Sequence, residues 1–159
     1  MSKRVLFLVG PTGSGKSKLA LSLAKKLNGE IISCDSMQVY RGMDIGTAKP
    51  TLRERRQVTH YLLDRLSTKS ECSVFQYRKL ALEAIREILK KGRFPIVTGG
   101  SGLYVKAIID GIAPQPGKQD ELRRKLYALA KRKGAKELYL RLKKIDPKRA
   151  AKIHPNDQK

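Results

Sequence analysis

Gly10, Gly15, Lys16 and Ser17 stand in the pattern G-x-x-x-x-G-K-S within LVGPTGSGKSKLA, residues 8–20. Glycines at this spacing let consecutive backbone N–H groups turn inward around an anion, and the helix that follows adds its positive end. Lys16 contributes a compact charge, and the Ser17 hydroxyl can ligate Mg²⁺. The whole run Gly10, Pro11, Thr12, Gly13, Ser14, Gly15, Lys16 and Ser17 therefore reads as a phosphate-binding loop. Kinases, ATPases and a few transferases share such a loop, so it does not say whose phosphate is held.

Two further stretches carry possible chemistry. Asp35 closes the short apolar segment EIISC, residues 30–34. If that segment is a strand of a parallel sheet, its carboxyl end opens on the ligand crevice. Asp35 then holds a metal through water, acts as a general base, or only caps a turn. Gly99-Gly100-Ser101-Gly102 follows FPIVT, residues 94–98. There a glycine backbone and the Ser101 hydroxyl suit a second anion contact, or make an ordinary strand-to-helix turn. His60 and His154 lack ligand spacing and read as structural. Cys34 and Cys72, with no C-x-x-C, read as free thiols in a reducing compartment such as the cytoplasm.

The elements that must position these groups alternate in type. Val5 to Val9 is a continuous apolar run, the pattern of a strand covered on both faces. Leu19, Ala20, Leu23, Ala24 and Leu27 recur at helical spacing, and Asn28-Gly29 ends that helix. A long loop runs from Asp35 to about Pro50, and HYLLD at 60–64 suggests another strand. From Ser73, the positions Tyr77, Leu80, Ala81, Ala84, Ile85, Ile88 and Leu89 define an amphipathic helix stopped at Gly92. Strands alternating with helices predict an α/β fold, a P-loop NTPase-like parallel sheet flanked by helices. Beyond Pro116, Leu122, Leu126 and Leu129 mark one helix, and Leu138, Leu142 and Ile145 another. The expected organisation is an α/β core over 1–117 and a basic helical appendage over 118–159.

At 159 residues and 40% apolar composition the chain can bury a sizeable core. Lys plus Arg number 35 against 14 Asp plus Glu, a net charge of +21. That balance suits a polyanionic partner such as RNA, DNA or a phosphorylated ligand, and it equally suits a lysine-rich solvated surface. No apolar run approaches the length of a membrane span, and the apolar start leads directly into the glycine loop rather than a cleavage site.

The blocks GPTGSGKS, ISCDSMQVYRGMDIGTAKP and VTGGSGLYVKAIIDG, in this order, resemble the tRNA dimethylallyltransferase family, also called tRNA isopentenyltransferases. The resemblance continues through LRRKL and DPKRAAKIHPND and covers nearly the whole chain. Adenylate isopentenyltransferases are similar in the core; IHPND and the basic helical tail favour the tRNA enzymes. The resemblance implies transfer of a dimethylallyl group from dimethylallyl diphosphate to the exocyclic amine of the adenosine 3′ of the tRNA anticodon. It casts Asp35 as general base, and Lys16, the loop amides, Mg²⁺ on Ser17 and Ser101 as the groups that neutralise the departing diphosphate. Asp35, Ser36, Met37 and Gln38, with Ser101, match the segment that meets the target adenosine, and Arg123 and Arg124 match one that contacts tRNA. The partners implied are a tRNA anticodon stem-loop and dimethylallyl diphosphate, with no membrane, for a cytoplasmic monomer. Three departures stand out. Ser101 replaces the family's usual threonine, and Tyr61 replaces a histidine. Family members also run on past HPND, so a chain ending at Lys159 reads as a fragment. The alternatives are a P-loop small-molecule kinase and an RNA-binding fragment without turnover.

Overall fold

The computed structural model describes residues 4–112 and 119–157. The chain divides into two compact units, Met1–Ala113 and Pro114–Lys159. The boundary expected between residues 117 and 118 lies outside the described residues.

The first unit is a four-stranded parallel sheet of order β1-β4-β2-β3, formed by β1 (Leu6–Val9), β2 (Gly29–Ser33), β3 (His60–Tyr61) and β4 (Phe94–Gly99). Side chains alternate across each strand, so neighbouring residues feed opposite layers. Ile31 and Ile96 pack with Ala20 and Ala24 of α1 (Lys16–Lys26) on one face. Ile32, Cys34 and Val97 pack on the other face with α3 (Val74–Lys90) and α4 (Gly102–Asp110). Helix α3 buries Tyr77, Ala81, Ala84, Ile85 and Ile88, the stripe its periodicity predicts. Ser73 caps it by accepting from the Gln76 amide.

Five features depart from the sequence-based expectation. The apolar β1 is not enclosed: it lies at the sheet edge, its residues are half-buried, and Val9 is 53% exposed. Among the described residues no strand pairs with its outer side. The strand expected over HYLLD stops after Tyr61, because Leu62 and Asp64 take left-handed backbone angles, φ 62° and 56°. A short helix α2 (Leu52–Gln57) interrupts the long loop, opened by a reciprocal capping box between Thr51 and Glu54. In the second unit α5 (Asp120–Lys133) and α6 (Ala135–Ile145) are followed by an unanticipated α7 (Pro147–Ala150), which Asp146 caps. Helical spacing there does not bring burial: Leu122 is 49% and Ile145 is 83% exposed, and only Ala130 and Ala150 are buried among the described residues of that unit. Among the described residues no helix is long and apolar enough to cross a membrane.

Candidate active site

The carboxyl ends of β1, β2 and β4 open on one cleft of about 940 Å³. The phosphate loop forms its first wall. Gly13 and Gly15 take positive φ, 85° and 79°, which turns the loop back toward the start of α1. Helix α1 begins with no side-chain cap and no acid in its first turn, so its leading N–H groups are not neutralised by the chain itself. Lys16 Nζ donates to the Pro11 carbonyl at 2.8 Å, lying back over the loop that an anion would fill. The Ser14 hydroxyl donates to the same carbonyl.

The second wall is the turn after β2. Asp35 Oδ1 accepts from the amides of Met37 at 2.8 Å and Gln38 at 3.3 Å. One carboxylate oxygen thus shapes the turn, and no hydrogen bond falls on the other among the described residues. Both roles considered for Asp35, turn cap and chemical group, are compatible with this division between its oxygens. The Gln38 amide is engaged at both ends: its oxygen accepts from Ser33 Oγ at 2.8 Å, and its Nε2 donates to the carbonyls of Thr47 and Ala48. Gln38 therefore ties the 46–50 segment to the end of β2. Ser36 and Met37 are exposed beside it, both lining the cleft.

The third wall comes from β4. Gly99 approaches β2 so closely that a Cβ there would lie 1.9 Å from the Cys34 carbonyl oxygen. That approach lets the Ser101 amide donate to Cys34 O at 3.2 Å and lets Ser101 Oγ accept from the Ser36 amide at 3.2 Å. The fold thereby brings together the loop, Asp35 and Ser101, as their positions at strand ends predicted, and with them Ser36, Met37 and Gln38, which the family resemblance had named. Arg123 and Arg124 belong to the other unit, exposed in the second turn of α5.

Sequence reasoning missed a buried cation. The Lys49 side chain is 3% exposed and pairs with Asp64 at 2.7 Å and Asp44 at 3.0 Å while donating to the Tyr40 carbonyl. Burial alone would lower its pKa, but Asp64 and Asp44 outweigh burial and raise it. Burial likewise pushes Asp64 up, and Lys49 and Arg55, at 2.7 Å each, win and hold its carboxyl below the usual range. This network ties the 40–50 segment to Arg55 and Asp64; its pairs lie 5, 9 and 15 residues apart across loops and a short helix, so no helical or strand period announces it. His60 also lines the cleft; its Nδ1 lies 2.8 Å from the Val58 carbonyl, and burial lowers its pKa, which keeps the ring neutral near pH 7. Among the described residues no group of three His, Cys, Asp or Glu is placed to hold a metal.

A parallel sheet with helices on both faces and a glycine loop between β1 and α1 defines a P-loop, NTPase-like phosphate-binding fold. The family model described as IPP transferase matches residues 38–159. The tRNA dimethylallyltransferase of Acetivibrio thermocellus is 52% identical over 156 residues, covering 98% of this chain and 50% of that protein. Its counterpart in Anaeromyxobacter dehalogenans is 49% identical, over 97% of this chain and 52% of that protein. Among solved structures, the full-length tRNA isopentenylpyrophosphate transferase of Bacillus halodurans superimposes with a TM-score of 0.70 at 46% identity, covering 98% of this chain and 52% of that one. A eukaryotic dimethylallyltransferase acting on tRNA gives 0.81 at 33% identity, covering 98% and 39%. The chain belongs to the IPP transferase family. It spans about half the length of the curated relatives it matches.

Proposed function

We propose that the cleft binds dimethylallyl diphosphate on the Gly10–Ser17 loop and transfers its five-carbon group to the exocyclic amine of the adenosine 3′ of a tRNA anticodon. The observation that carries this reading is the convergence of the phosphate loop, Asp35 and Ser101 in one cleft, clasped by the Ser36 amide on Ser101 Oγ. Diphosphate binding draws Lys16 from the Pro11 carbonyl onto the anion, so the lysine exchanges a neutral acceptor for a charged one. The open amides at the start of α1 and the Ser101 hydroxyl take further charge as the carbon–oxygen bond breaks. The carboxylate oxygen of Asp35 that the turn leaves unbonded takes the proton from the attacking amine. Gln38 reads the adenine edge by giving up its bonds to Thr47 and Ala48, and Ser36 and Met37 meet the same base, splayed from a single-stranded loop.

Magnesium fits the donor set: it takes few protein oxygens beside substrate phosphates, and Ser17 offers a hydroxyl next to the loop. When bound, the ion neutralises developing charge on the diphosphate. Arg123 and Arg124 grip the phosphates of the anticodon stem from the basic unit 118–159, and the protein works as a monomer in the cytoplasm, where its tRNA is found. The test is a single-turnover assay with labelled dimethylallyl diphosphate, Mg²⁺ and an unmodified anticodon stem-loop. Label on the stem-loop is the expected result; label that stays on the donor while both ligands bind makes the chain a binding module, and phosphate transfer from ATP makes it a kinase.

A further inference from the structure

Among the described residues, one buried side-chain polar atom has no hydrogen-bond partner. Thr98 Oγ1 is buried and makes no hydrogen bond. A buried hydroxyl without a partner carries a desolvation cost, so native folds rarely keep one without a use. Thr98 is the penultimate residue of β4, in register with Ser33 of β2 and Leu8 of β1, immediately before Gly99. It lines the cleft beside Gly99, Ser101 and the phosphate loop. The cross-strand hydroxyl of Ser33 does not satisfy it, since that proton goes to Gln38.

The position is a telling one. P-loop enzymes that bind nucleotides commonly set an aspartate near the loop to hold the metal beside the phosphates. Here the strand next to β1 presents a neutral hydroxyl instead, and the acid of the site, Asp35, comes from β2. A hydroxyl can donate to an anionic oxygen, which a carboxylate cannot. The residue as a whole is half-buried while its oxygen is sealed. Because Thr98 itself lines the cleft, a step of χ1 is the motion that would turn its hydroxyl toward a bound ligand.

Resting on the reading that the loop holds a diphosphate, we infer that Thr98 is a further ligand-binding residue, whose hydroxyl donates to a diphosphate oxygen in the occupied site. The arrangement explains why the oxygen is orphaned in the free protein: its partner arrives with the ligand.

The experiment is isothermal titration with inorganic pyrophosphate, with and without Mg²⁺, on the full chain and on Thr98→Val, Thr98→Ser and Lys16→Ala, with thermal melts of each free protein. Valine keeps the shape and removes the hydroxyl. Thr98→Val should melt at or above the parent temperature, since it deletes a buried unbonded group, and should bind pyrophosphate roughly ten- to a hundredfold more weakly. Thr98→Ser should retain affinity. Unchanged affinity in Thr98→Val beside a loss in Lys16→Ala overturns the inference and leaves the loop reading standing. Weaker binding with a lowered melting temperature assigns Thr98 to packing and overturns it too. Unchanged affinity in Lys16→Ala removes the diphosphate from the loop, and the inference falls with that reading.

Discussion

The two units use their residues in opposite ways. In Met1–Ala113 the apolar residues are packed on both faces of a sheet, and single atoms are placed by backbone contacts: a missing Cβ at Gly99, one oxygen of Asp35, one amide on Ser101. In Pro114–Lys159 burial among the described residues reaches only Ala130 and Ala150, and residues 118–159 carry 15 Lys plus Arg against 5 Asp plus Glu. A packed core transmits a displacement of a few tenths of an ångström to its neighbours; a field of exposed charges averages it away. The lesson is that function in the first unit is sensitive to position, and function in the second to the sum of charge.

The sharpest way to break that contrast is one methyl group. Gly99→Ala places a Cβ against the Cys34 backbone, where neither strand can give without parting β2 from β4. Stability should fall by about 4 kcal/mol or more, lowering Tm by roughly 10 °C. Gly100→Ala is the control, since its Cβ would meet only the Gly10 carbonyl at 3.4 Å; a melt should find it near the parent. Equal melting of the two variants would show that the close approach does not hold the site.

Asp35→Asn comes next. Asparagine keeps an oxygen for the amides of Met37 and Gln38, so the turn and the fold should survive. Loss of the base should slow prenyl transfer by about 10²- to 10⁴-fold with binding of either substrate little changed. A rate at saturation within tenfold of the parent would make Asp35 a turn residue alone.

The amino ends of the strands sharpen the contrast from within the first unit. There Glu30, 3% exposed at its side chain, accepts from Arg93 at 2.9 Å and from the Tyr61 hydroxyl at 2.8 Å, with Lys91 at 3.6 Å. Tyr61 also reaches Glu87 and Lys91. Tyr61 therefore serves a paired cluster away from the cleft, among whose lining residues it is not found. Because Arg93 and Lys91 are partly exposed and can rehydrate, Glu30→Gln should cost only about 1–2 kcal/mol, read as a modest fall in Tm. Burial, with the Glu30 and Glu87 carboxylates, raises the Tyr61 pKa to about 12 against the lowering contact from Lys91. A raised pKa means the neutral phenol is the stabilised form, so its contribution is whole below about pH 10 and is lost as pH climbs toward 12. Ultraviolet titration should find the phenols of Tyr61, Tyr77 and Tyr104 ionising late in the parent, and one fewer late phenol in Glu30→Gln.

Much of this was legible in sequence, and the failures follow a physical line. The phosphate loop and α3 are local patterns, and the fold kept both. Two short helices carried local signals as well, the T-x-x-E box at Thr51 and the Asp146-Pro147 start, and a reading tuned to long apolar periods passes over them. The Gly99 approach and the orphaned Thr98 hydroxyl depend on strands brought together by the sheet, and the Lys49–Asp64–Arg55 network on how the loops around α2 and β3 fold, so no period along the chain encodes them. The apolar run of β1 predicted enclosure, yet order in the sheet decides who covers a strand, and here β1 is an edge. At Leu122 and Ile145 periodicity named the right secondary structure and the wrong burial, because the second unit offers them little to pack against.

The smallest effect belongs to that second unit. If 118–159 grips an anticodon stem through summed charge, log affinity for tRNA falls linearly with log salt, and each phosphate contact contributes about 0.7 to 0.9 to the slope. Arg123 and Arg124 are both exposed on α5, so replacing them perturbs no core. The double alanine variant should bind tRNA more weakly at low salt, lose about one contact's worth of slope per arginine that grips phosphate, and bind pyrophosphate as before. Restoring charge at other exposed positions of α5 should recover most of the slope if only the sum matters. Failure to recover would mean that these two arginines are placed, not merely present, and the second unit would then share the positional logic of the first. Parallel salt lines of equal affinity for parent and variant would remove Arg123 and Arg124 from the RNA interface altogether.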